Sequence, residues 1–191
     1  MTDFLYSIDV AVFFFINHSL ANPVFDVLMP FLTDLNKIRI GQGFFLAAWV
    51  LLMIKGGRNG RAAGILLIAG IAASDQLSSF ALKPLIGRIR PCHVLPNVRL
   101  LVECGGGLSF PSSHAVNNFC AAAILSSFYG SKRWLWFGIA ALIAFTRPYV
   151  GVHYPSDIAG GALIGAGCGY AFVLLWREID RRWMNRAAVD H

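Results

Sequence analysis

The segment 111–114, Pro-Ser-Ser-His, combines residue types that can bind an anion and move a proton. It follows a run of three glycines, 105–107, and it opens a long apolar run. Serine is a preferred N-cap residue, so we expect Ser112 or Ser113 to begin a helix. The first N–H groups of a helix lack partners within it and attract anions, and a histidine such as His114 can exchange a proton near neutral pH. The segment therefore predicts an anion site with an acid–base group beside it.

A second histidine, His153, precedes Asp157 by four residues. A carboxylate so placed can hold the Nδ1–H of the imidazole, which leaves Nε2 free to act as a nucleophile. A polar pair that only caps a helix is the alternative interpretation of the same two residues. The pair by itself does not decide between the two roles, so the placement of the other polar residues becomes important.

Three basic residues, Lys83, Arg90 and Arg147, lie at or beside the ends of apolar runs. Each one by itself could simply anchor a helix end at a membrane surface. Phosphoryl transfer, however, spreads charge over three equatorial oxygens in its transition state and needs positioned cations and N–H donors. An arginine can grip two of those oxygens at once. Placed on one face with the two histidines, these cations form a set suited to phosphoryl transfer.

The composition is that of a membrane protein. The chain of 191 residues is 57% hydrophobic and 14% charged, and its mean hydropathy is +0.61. A soluble domain carries about 25% charged residues, so this chain lacks the polar surface to cover itself. We therefore expect one integral-membrane domain over residues 1–191, with the bilayer as its environment. Nucleic acid is not an expected partner, because the net charge of +6 is not gathered in a basic patch on a soluble fold.

The sequence predicts an all-α, polytopic transmembrane bundle of about six spans, five of which are well defined. The five are apolar runs, several of them near the roughly 20 residues that cross a bilayer. They lie at 40–54, 62–82, 115–129, 134–145 or a little beyond, and 158–176. The last run contains Gly161, Gly165 and Gly169, a small-residue spacing that lets membrane helices approach closely. Residues 1–36 fit either an interfacial helix followed by a span or one broken span. Residues 83–111 are rich in Pro, Gly and Arg and are predicted to form an external loop.

The basic residues orient this predicted bundle. Those at 55–61, at 132–133 and in the amphipathic tail 177–191 fall on one side, which should be cytoplasmic. Seven others fall on the opposite side, namely Lys37, Arg39, Lys83, Arg88, Arg90, Arg99 and Arg147. The same side receives the helix start at 111–114 and the pair His153 and Asp157. Anchoring alone does not explain this convergence, which predicts an active site at the extracytoplasmic face.

In these residues the sequence resembles the type 2 phosphatidic acid phosphatase superfamily of membrane lipid phosphatases, over about residues 75–175. That family has three ordered motifs: Lys-x6-Arg-Pro, Pro-Ser-Gly-His and Ser-Arg-x5-His-x3-Asp. The matching residues are Lys83, Arg90 and Pro91, then Pro111, Ser112 and His114, then Arg147, His153 and Asp157. Ser113 stands in the glycine position, where its backbone N–H can still face a phosphate. Thr146 stands in the serine position and keeps a hydroxyl.

The resemblance implies a metal-independent phosphatase that works through a phosphohistidine. It makes His153 the nucleophile, Asp157 the residue that orients it, and His114 the general acid and base. The phosphate-binding residues that it implies are Lys83, Arg90, Ser112, Ser113 and Arg147. It also implies no cofactor, and the sequence contains no cluster of histidines or carboxylates with metal-ligand spacing.

The sequence leaves the substrate open. A site at the membrane face suits a phospholipid or polyprenyl phosphate, and the family includes enzymes for undecaprenyl diphosphate, phosphatidylglycerol phosphate, phosphatidic acid, diacylglycerol diphosphate and lipid A phosphates. The short chain is similar to the compact bacterial members, so we expect it in the bacterial cytoplasmic membrane with a cytoplasmic C-terminus. A lipid phosphotransferase with the same phosphohistidine, and a non-catalytic lipid-phosphate binding or transport protein, are the alternatives. The oligomeric state stays open.

Four cysteines are present, and two of them, Cys120 and Cys168, lie within predicted spans. Cys92 and Cys104 share the loop 83–111, on the face where an oxidising compartment would favour a disulfide. Their separation of twelve residues does not show whether the Cβ atoms meet. A bridge and two free thiols therefore both remain open.

Overall fold

The computed structural model describes the backbone of residues 2–189 and the side chains of residues 4–182. Within that part of the chain every regular element is helical, which confirms the all-α prediction. The helices are α1 Thr2–Phe14, α2 Pro23–Thr33, α3 Arg39–Lys55, α4 Gly57–Gln76, α5 Lys83–Ile86, α6 Pro91–Val94, α7 Ser113–Phe128, α8 Arg133–Tyr149 and α9 Pro155–Val189. π-helical turns at Phe15–Ser19 and Leu77–Leu82 extend α1 and α4, and a 3₁₀ turn at Gly130–Lys132 precedes α8.

The first two helices form a sharply bent pair. Their axes meet at 115° around the break between Ser19 and Pro23. Asn22 caps α2 by accepting a hydrogen bond from the N–H of Phe25 at 2.9 Å. The buried Asn17 holds the break against the rest of the bundle, because its amide donates to the carbonyl of Tyr149 at 2.8 Å. The N-terminal region is therefore one broken helical unit packed beside the end of α8.

Helix α7 lies at the centre of the bundle and packs against α4, α8 and α9. Its contact with α9 is close because three glycines of α9 face it. A Cβ atom at Gly165 would lie 2.1 Å from the carbonyl oxygen of Val116, and one at Gly169 would lie 2.5 Å from that of Cys120. Backbone approaches this short require residues without side chains. The predicted role of the glycine spacing is thus visible in the packing.

The outer surface of the bundle is apolar, as a lipid environment requires. Large exposed side chains include Ile40, Phe80, Trp134 and Leu163. By length and composition, two helical segments can cross a membrane, Gly57–Val94 and Pro155–Arg182, and the bent N-terminal pair makes a third if it is one span. Helices α3, α7 and α8 have 17, 16 and 17 residues. Six spans therefore stay a prediction.

Two predicted non-helical or tail segments are more ordered than the sequence indicated. The segment 83–111 contains the short helices α5 and α6 before it becomes irregular. The segment 177–189 is a continuation of α9, whereas residues 190 and 191 of the predicted tail lie outside the described residues. Arg58 pairs with Asp180, and Arg177 donates to the carbonyl of Ser127 at 3.2 Å. These contacts join the segment 55–61 to the last turns of α9, and α9 to the end of α7, which leads into the segment 132–133.

We expect Gly165→Ala to destabilise the protein by about 1–3 kcal/mol, because the added methyl group would force α9 away from the backbone of α7. Gly167→Ala is the matched control, since no described atom lies within 4 Å of a Cβ at that position. Thermal unfolding in detergent, followed by tryptophan fluorescence, measures both variants. Equal midpoints for the two would show that the close contact is not needed for stability.

Candidate active site

Helix α7 begins at the predicted anion site. Ser113 is its first residue and Ser112 occupies the N-cap position, but the Ser112 side chain makes no capping hydrogen bond. The expectation of a capping hydroxyl was therefore wrong, although the expected helix start is correct. The Ser112 hydroxyl is buried and has no partner among the described residues. The backbone N–H of Ser112 donates to the backbone carbonyl of Asp157 at 3.1 Å, and this bond joins the starts of α7 and α9.

His153 lies in the buried turn between α8 and α9. Gly151 allows this turn, because its φ of +91° belongs to the left-handed region. The imidazole Nδ1 of His153 lies 3.4 Å from a carboxylate oxygen of Asp157. None of the described residues hydrogen bonds to Nε2. The side chains of His153 and Asp157 are 2% and 0% exposed, so the imidazole is buried and is held through Nδ1, while Nε2 keeps no protein partner among the described residues.

The carboxylate of Asp157 is surrounded by donors. One oxygen accepts from the hydroxyl of Ser109 and from the N–H of Tyr154, the latter at 2.8 Å. The other oxygen accepts from Nη1 of Arg88 at 2.7 Å. A buried carboxylate needs such partners to remain ionised. Asp157 is thus a fixed anion next to the Nδ1 atom of His153.

The three predicted cations are held by neutral acceptors. Lys83 donates to the hydroxyl of Ser113 at 2.9 Å. Arg90 donates to the carbonyl oxygens of Gly107 and Cys104, at 2.9 and 3.0 Å. Arg147 is 6% exposed, and its Nη1 donates to the hydroxyl of Thr33 at 2.6 Å. Its Nε atom is buried and has no hydrogen-bond partner within the described part of the chain. No carboxylate of the described residues forms a salt bridge with any of the three.

His114 lies one residue into α7 and is held by α2. Its Nε2 atom is 3.2 Å from the backbone carbonyl oxygen of Thr33. A carbonyl is an acceptor only, so this nitrogen carries the proton. Thr33 therefore binds both the general acid–base candidate, through its carbonyl, and Arg147, through its hydroxyl.

The protonation of His153 follows from its surroundings. Burial lowers the pKa of His153 to about 4, and the positive charges of Arg90 and Arg147 act in the same direction, while the hydrogen bond with Asp157 opposes them. The imidazole is consequently neutral at physiological pH. A neutral imidazole has the lone pair that a nucleophile needs.

The structure brings both predicted histidines, Asp157 and the three cations around the starts of α7 and α9. His114 lies close enough to His153 and Arg147 for their charges to act on it. Lys83 likewise lies within reach of the charges of Arg90 and Arg147. Sequence reasoning gave no site role to four residues that contact this cluster, namely Asp9, Thr33, Arg88 and Ser109, although it placed Arg88 on the same side of the bundle. A lone carboxylate in an apolar run is a signal that could have identified Asp9, whereas Thr33 and Ser109 carry no such signal.

Cys92 and Cys104 are joined by a disulfide, with their Cα atoms 6.2 Å apart. The bridge closes the loop whose carbonyl groups hold Arg90. Metal-ligating atoms of Cys92, His93 and Cys104 also lie within 4.8 Å of one another. Bonded sulfurs are not thiolates, so this cluster in its oxidised form does not offer the ligands that zinc requires.

Comparison with known proteins gives three similarities. The family model of the PAP2 superfamily matches residues 62–181. A lipid A 4′-phosphatase of Bacteroides thetaiotaomicron is 31% identical over 197 residues, which cover 99% of this chain and 86% of that protein. The crystal structure of Aquifex aeolicus LpxE has a TM-score of 0.69 at 29% identity, over 86% of this chain and 93% of that one. The family resemblance predicted from the motifs is confirmed.

A second solved structure supports the fold alone. It is the first transmembrane PAP2-type phosphatidylglycerolphosphate phosphatase from Bacillus subtilis. The TM-score is 0.71 at 24% identity, and the match covers 92% of this chain and 87% of that chain. The helical arrangement described above is therefore a known membrane-phosphatase fold.

We expect the stability of the protein to fall as the pH decreases from about 6.5 to about 4. The unfolded state binds a proton at His153 in this window and the folded state does not, so acid favours unfolding, by up to about 3 kcal/mol from this group. The comparison of the wild type with His153→Gln isolates the contribution of the His153 imidazole to the pH dependence of stability, since glutamine does not titrate. Thermal midpoints in detergent across this pH range measure it, and parallel profiles would contradict the assignment.

Proposed function

The chain belongs to the PAP2 superfamily and is a membrane lipid phosphatase, and from that premise we propose that it hydrolyses a lipid phosphate or diphosphate through a phosphohistidine at His153. The observation that carries this proposal is a buried, neutral imidazole whose Nδ1 faces Asp157 and whose Nε2 has no protein partner among the described residues. That arrangement leaves one nitrogen with a free lone pair. The attack on phosphorus is assigned to this atom.

Three cations and a helix start form the proposed phosphate cradle. Lys83, Arg90 and Arg147 lie near one another and are not neutralised by described carboxylates. Buried polar atoms without partners, Nε of Arg147 and the hydroxyl of Ser112, are suited to phosphate oxygens. The N–H groups at the start of α7 add neutral donors, among them that of Ser113. A dianionic phosphate would satisfy all of these groups at once.

The reaction proceeds in two steps. In the first, Nε2 of His153 forms a bond to phosphorus, the bond to the leaving oxygen breaks, and that oxygen takes the Nδ1 proton of a doubly protonated His114, a form that the charge of the bound phosphate favours. The Nε2–H of His114 stays on the carbonyl of Thr33. Asp157 stabilises the positive charge that the phosphorylated imidazole gains. In the second, His114 accepts a proton from water, the water oxygen bonds to phosphorus and the N–P bond breaks. Phosphate leaves, and His114 is again protonated.

The location of the site supports a lipid substrate. The basic segments lie together at one end of the bundle, and basic residues favour the cytoplasmic side. The site lies at the other ends of these helices. We therefore place it at the extracytoplasmic face of a bundle of six spans in the bacterial cytoplasmic membrane, with the C-terminus in the cytoplasm. A phosphate at headgroup level meets the site there.

We expect the purified wild-type protein to release inorganic phosphate from at least one of lipid A, undecaprenyl diphosphate and phosphatidylglycerol phosphate in detergent. His153→Ala should abolish release and covalent ³²P-labelling, because it removes the nucleophile. His18→Ala is the control, since His18 contacts the carbonyl of Asn97, outside the catalytic set. Near-wild-type turnover by His153→Ala would contradict the mechanism.

The same assay tests the alternatives. Transfer of label to an added lipid in place of water would identify a phosphotransferase. Binding of the lipids without cleavage would identify a binding or transport protein and overturn the proposed hydrolysis.

We expect the activity to survive EDTA, because Lys83, Arg90 and Arg147 supply the positive charge that a metal would otherwise provide. The measurement is phosphate release before and after chelation and gel filtration. Loss of activity that added Mg²⁺ restores would contradict the metal-independent mechanism.

A further inference from the structure

Arg88 is held differently from the cations of the proposed cradle. Its Nη1 atom donates to Asp157 at 2.7 Å and to the hydroxyl of Ser156 at 2.6 Å. Its Nη2 atom pairs with the carboxylate of Asp9. The guanidinium also lies over the ring of Tyr154, 4.0 Å from the ring centroid. Both terminal nitrogens and one face of the Arg88 guanidinium are therefore occupied.

Arg88 determines which way the carboxylate of Asp157 faces. One oxygen of Asp157 is taken by Arg88, so the other must accept from Ser109 and Tyr154 and face Nδ1 of His153. The backbone strengthens the link, because the N–H of Ser109 donates to the carbonyl of Arg88 at 2.7 Å. Gly87 makes this placement possible, since its φ of +66° ends α5 in a left-handed turn directly before Arg88.

Asp9 extends the link to α1. Its carboxylate accepts from the N–H of Ser156 at 2.9 Å and also from the Ser156 hydroxyl. Ser156 lies in the first turn of α9, so Asp9 caps that helix from a different part of the chain. The side chains of Asp9 and Arg88 are 10% and 22% exposed. The contact is thus mostly shielded from solvent.

We propose that Asp9 and Arg88 form, with Asp157, a carboxylate–guanidinium–carboxylate chain that positions the imidazole of His153. In this chain Arg88 and Asp9 are positioning residues and do not bind the substrate phosphate. The assignment rests on the proposed function, which makes His153 the nucleophile.

The charges support positioning over phosphate binding. Two carboxylates and one guanidinium give the chain a net charge of −1, which would repel a phosphate dianion. That same charge balances the positive charge that His153 gains when it is phosphorylated. Arg90, in contrast to Arg88, is suited to bind phosphate. It is held by the neutral carbonyls of Gly107 and Cys104, which do not offset its positive charge.

The test compares Arg88→Gln with Arg90→Gln and with a control, Arg99→Gln. Arg99 makes a similar pair with Asp26 on the same face and has no contact with Asp157. For Arg88→Gln we expect kcat to fall about 10–100-fold while KM and the inhibition constant of inorganic phosphate stay within about threefold. For Arg90→Gln we expect KM and the inhibition constant of inorganic phosphate both to rise. Arg99→Gln should keep wild-type kcat.

Two further variants keep the test decisive. Arg88→Lys should recover part of the kcat, because an ammonium can still pair with Asp157 but cannot bridge two carboxylates. Asp9→Asn keeps the acceptor for Ser156 and removes one charge, so it reports on the chain even where Arg88→Gln does not fold. We expect Asp9→Asn to lower kcat about three- to tenfold with KM unchanged.

The outcomes separate the two proposals. Suppose that the wild type is active, that Arg88→Gln keeps its kcat, and that Arg88→Gln weakens phosphate inhibition as Arg90→Gln does. This result would overturn the positioning role of Arg88 and leave the proposed function standing. Wild-type kcat in folded Asp9→Asn would overturn the part assigned to α1. A wild type that releases no phosphate from any of the lipids would overturn the proposed function, and the positioning role with it.

Discussion

The proposed active site depends on one buried negative charge. The carboxylate of Asp157 is 0% exposed, and an ionised carboxylate without partners would be prohibitively costly to bury. The fold supplies partners from three parts of the chain: Arg88 after α5, Ser109 before α7 and the N–H of Tyr154 in the turn before α9. Because these donors must converge, the carboxylate fixes the relative positions of the loop 83–111 and the starts of α7 and α9. His153 is oriented as a consequence.

The cations of the proposed site differ from Asp157, because within the described residues they are not paired with groups of opposite charge. Arg147 is buried and Arg90 is half-buried, yet their described partners are neutral oxygens of carbonyl and hydroxyl groups. Neutral acceptors orient a guanidinium without cancelling its charge. The proposed site therefore combines a neutralised anion beside the candidate nucleophile, His153, with cations that no described carboxylate pairs with. This separation favours an anionic ligand and a neutral imidazole in the same small volume.

Much of the proposed site could be predicted from the sequence, because its chemistry depends on residue types at fixed spacings. Lys83, His114 and His153 were expected to lie on one face for this reason, and the structure places them near the starts of α7 and α9. The all-helical class and the glycine contacts of α9 were predicted in the same way. The remaining residues could not be. Thr33 and Ser109 act through contacts between distant segments, and an ordinary threonine or serine has no local pattern that marks it. Arg88 was recognised as a basic residue of the active-site face, but only the fold shows that Asp9 and Asp157 enclose it.

The close packing of α7 and α9 links membrane assembly to catalysis. A Cβ atom at Gly161 would lie 2.9 Å from the carbonyl oxygen of Ser112, so the two helices touch at the start of the proposed phosphate cradle. The N–H of Ser112 donates to the carbonyl of Asp157 at the same crossing. Small residues in membrane helices are usually explained by packing between helices. Here they also set the distance between the helix start proposed to bind phosphate and the carboxylate proposed to orient His153. A change that separates α7 from α9 would therefore separate those two parts of the proposed site as well.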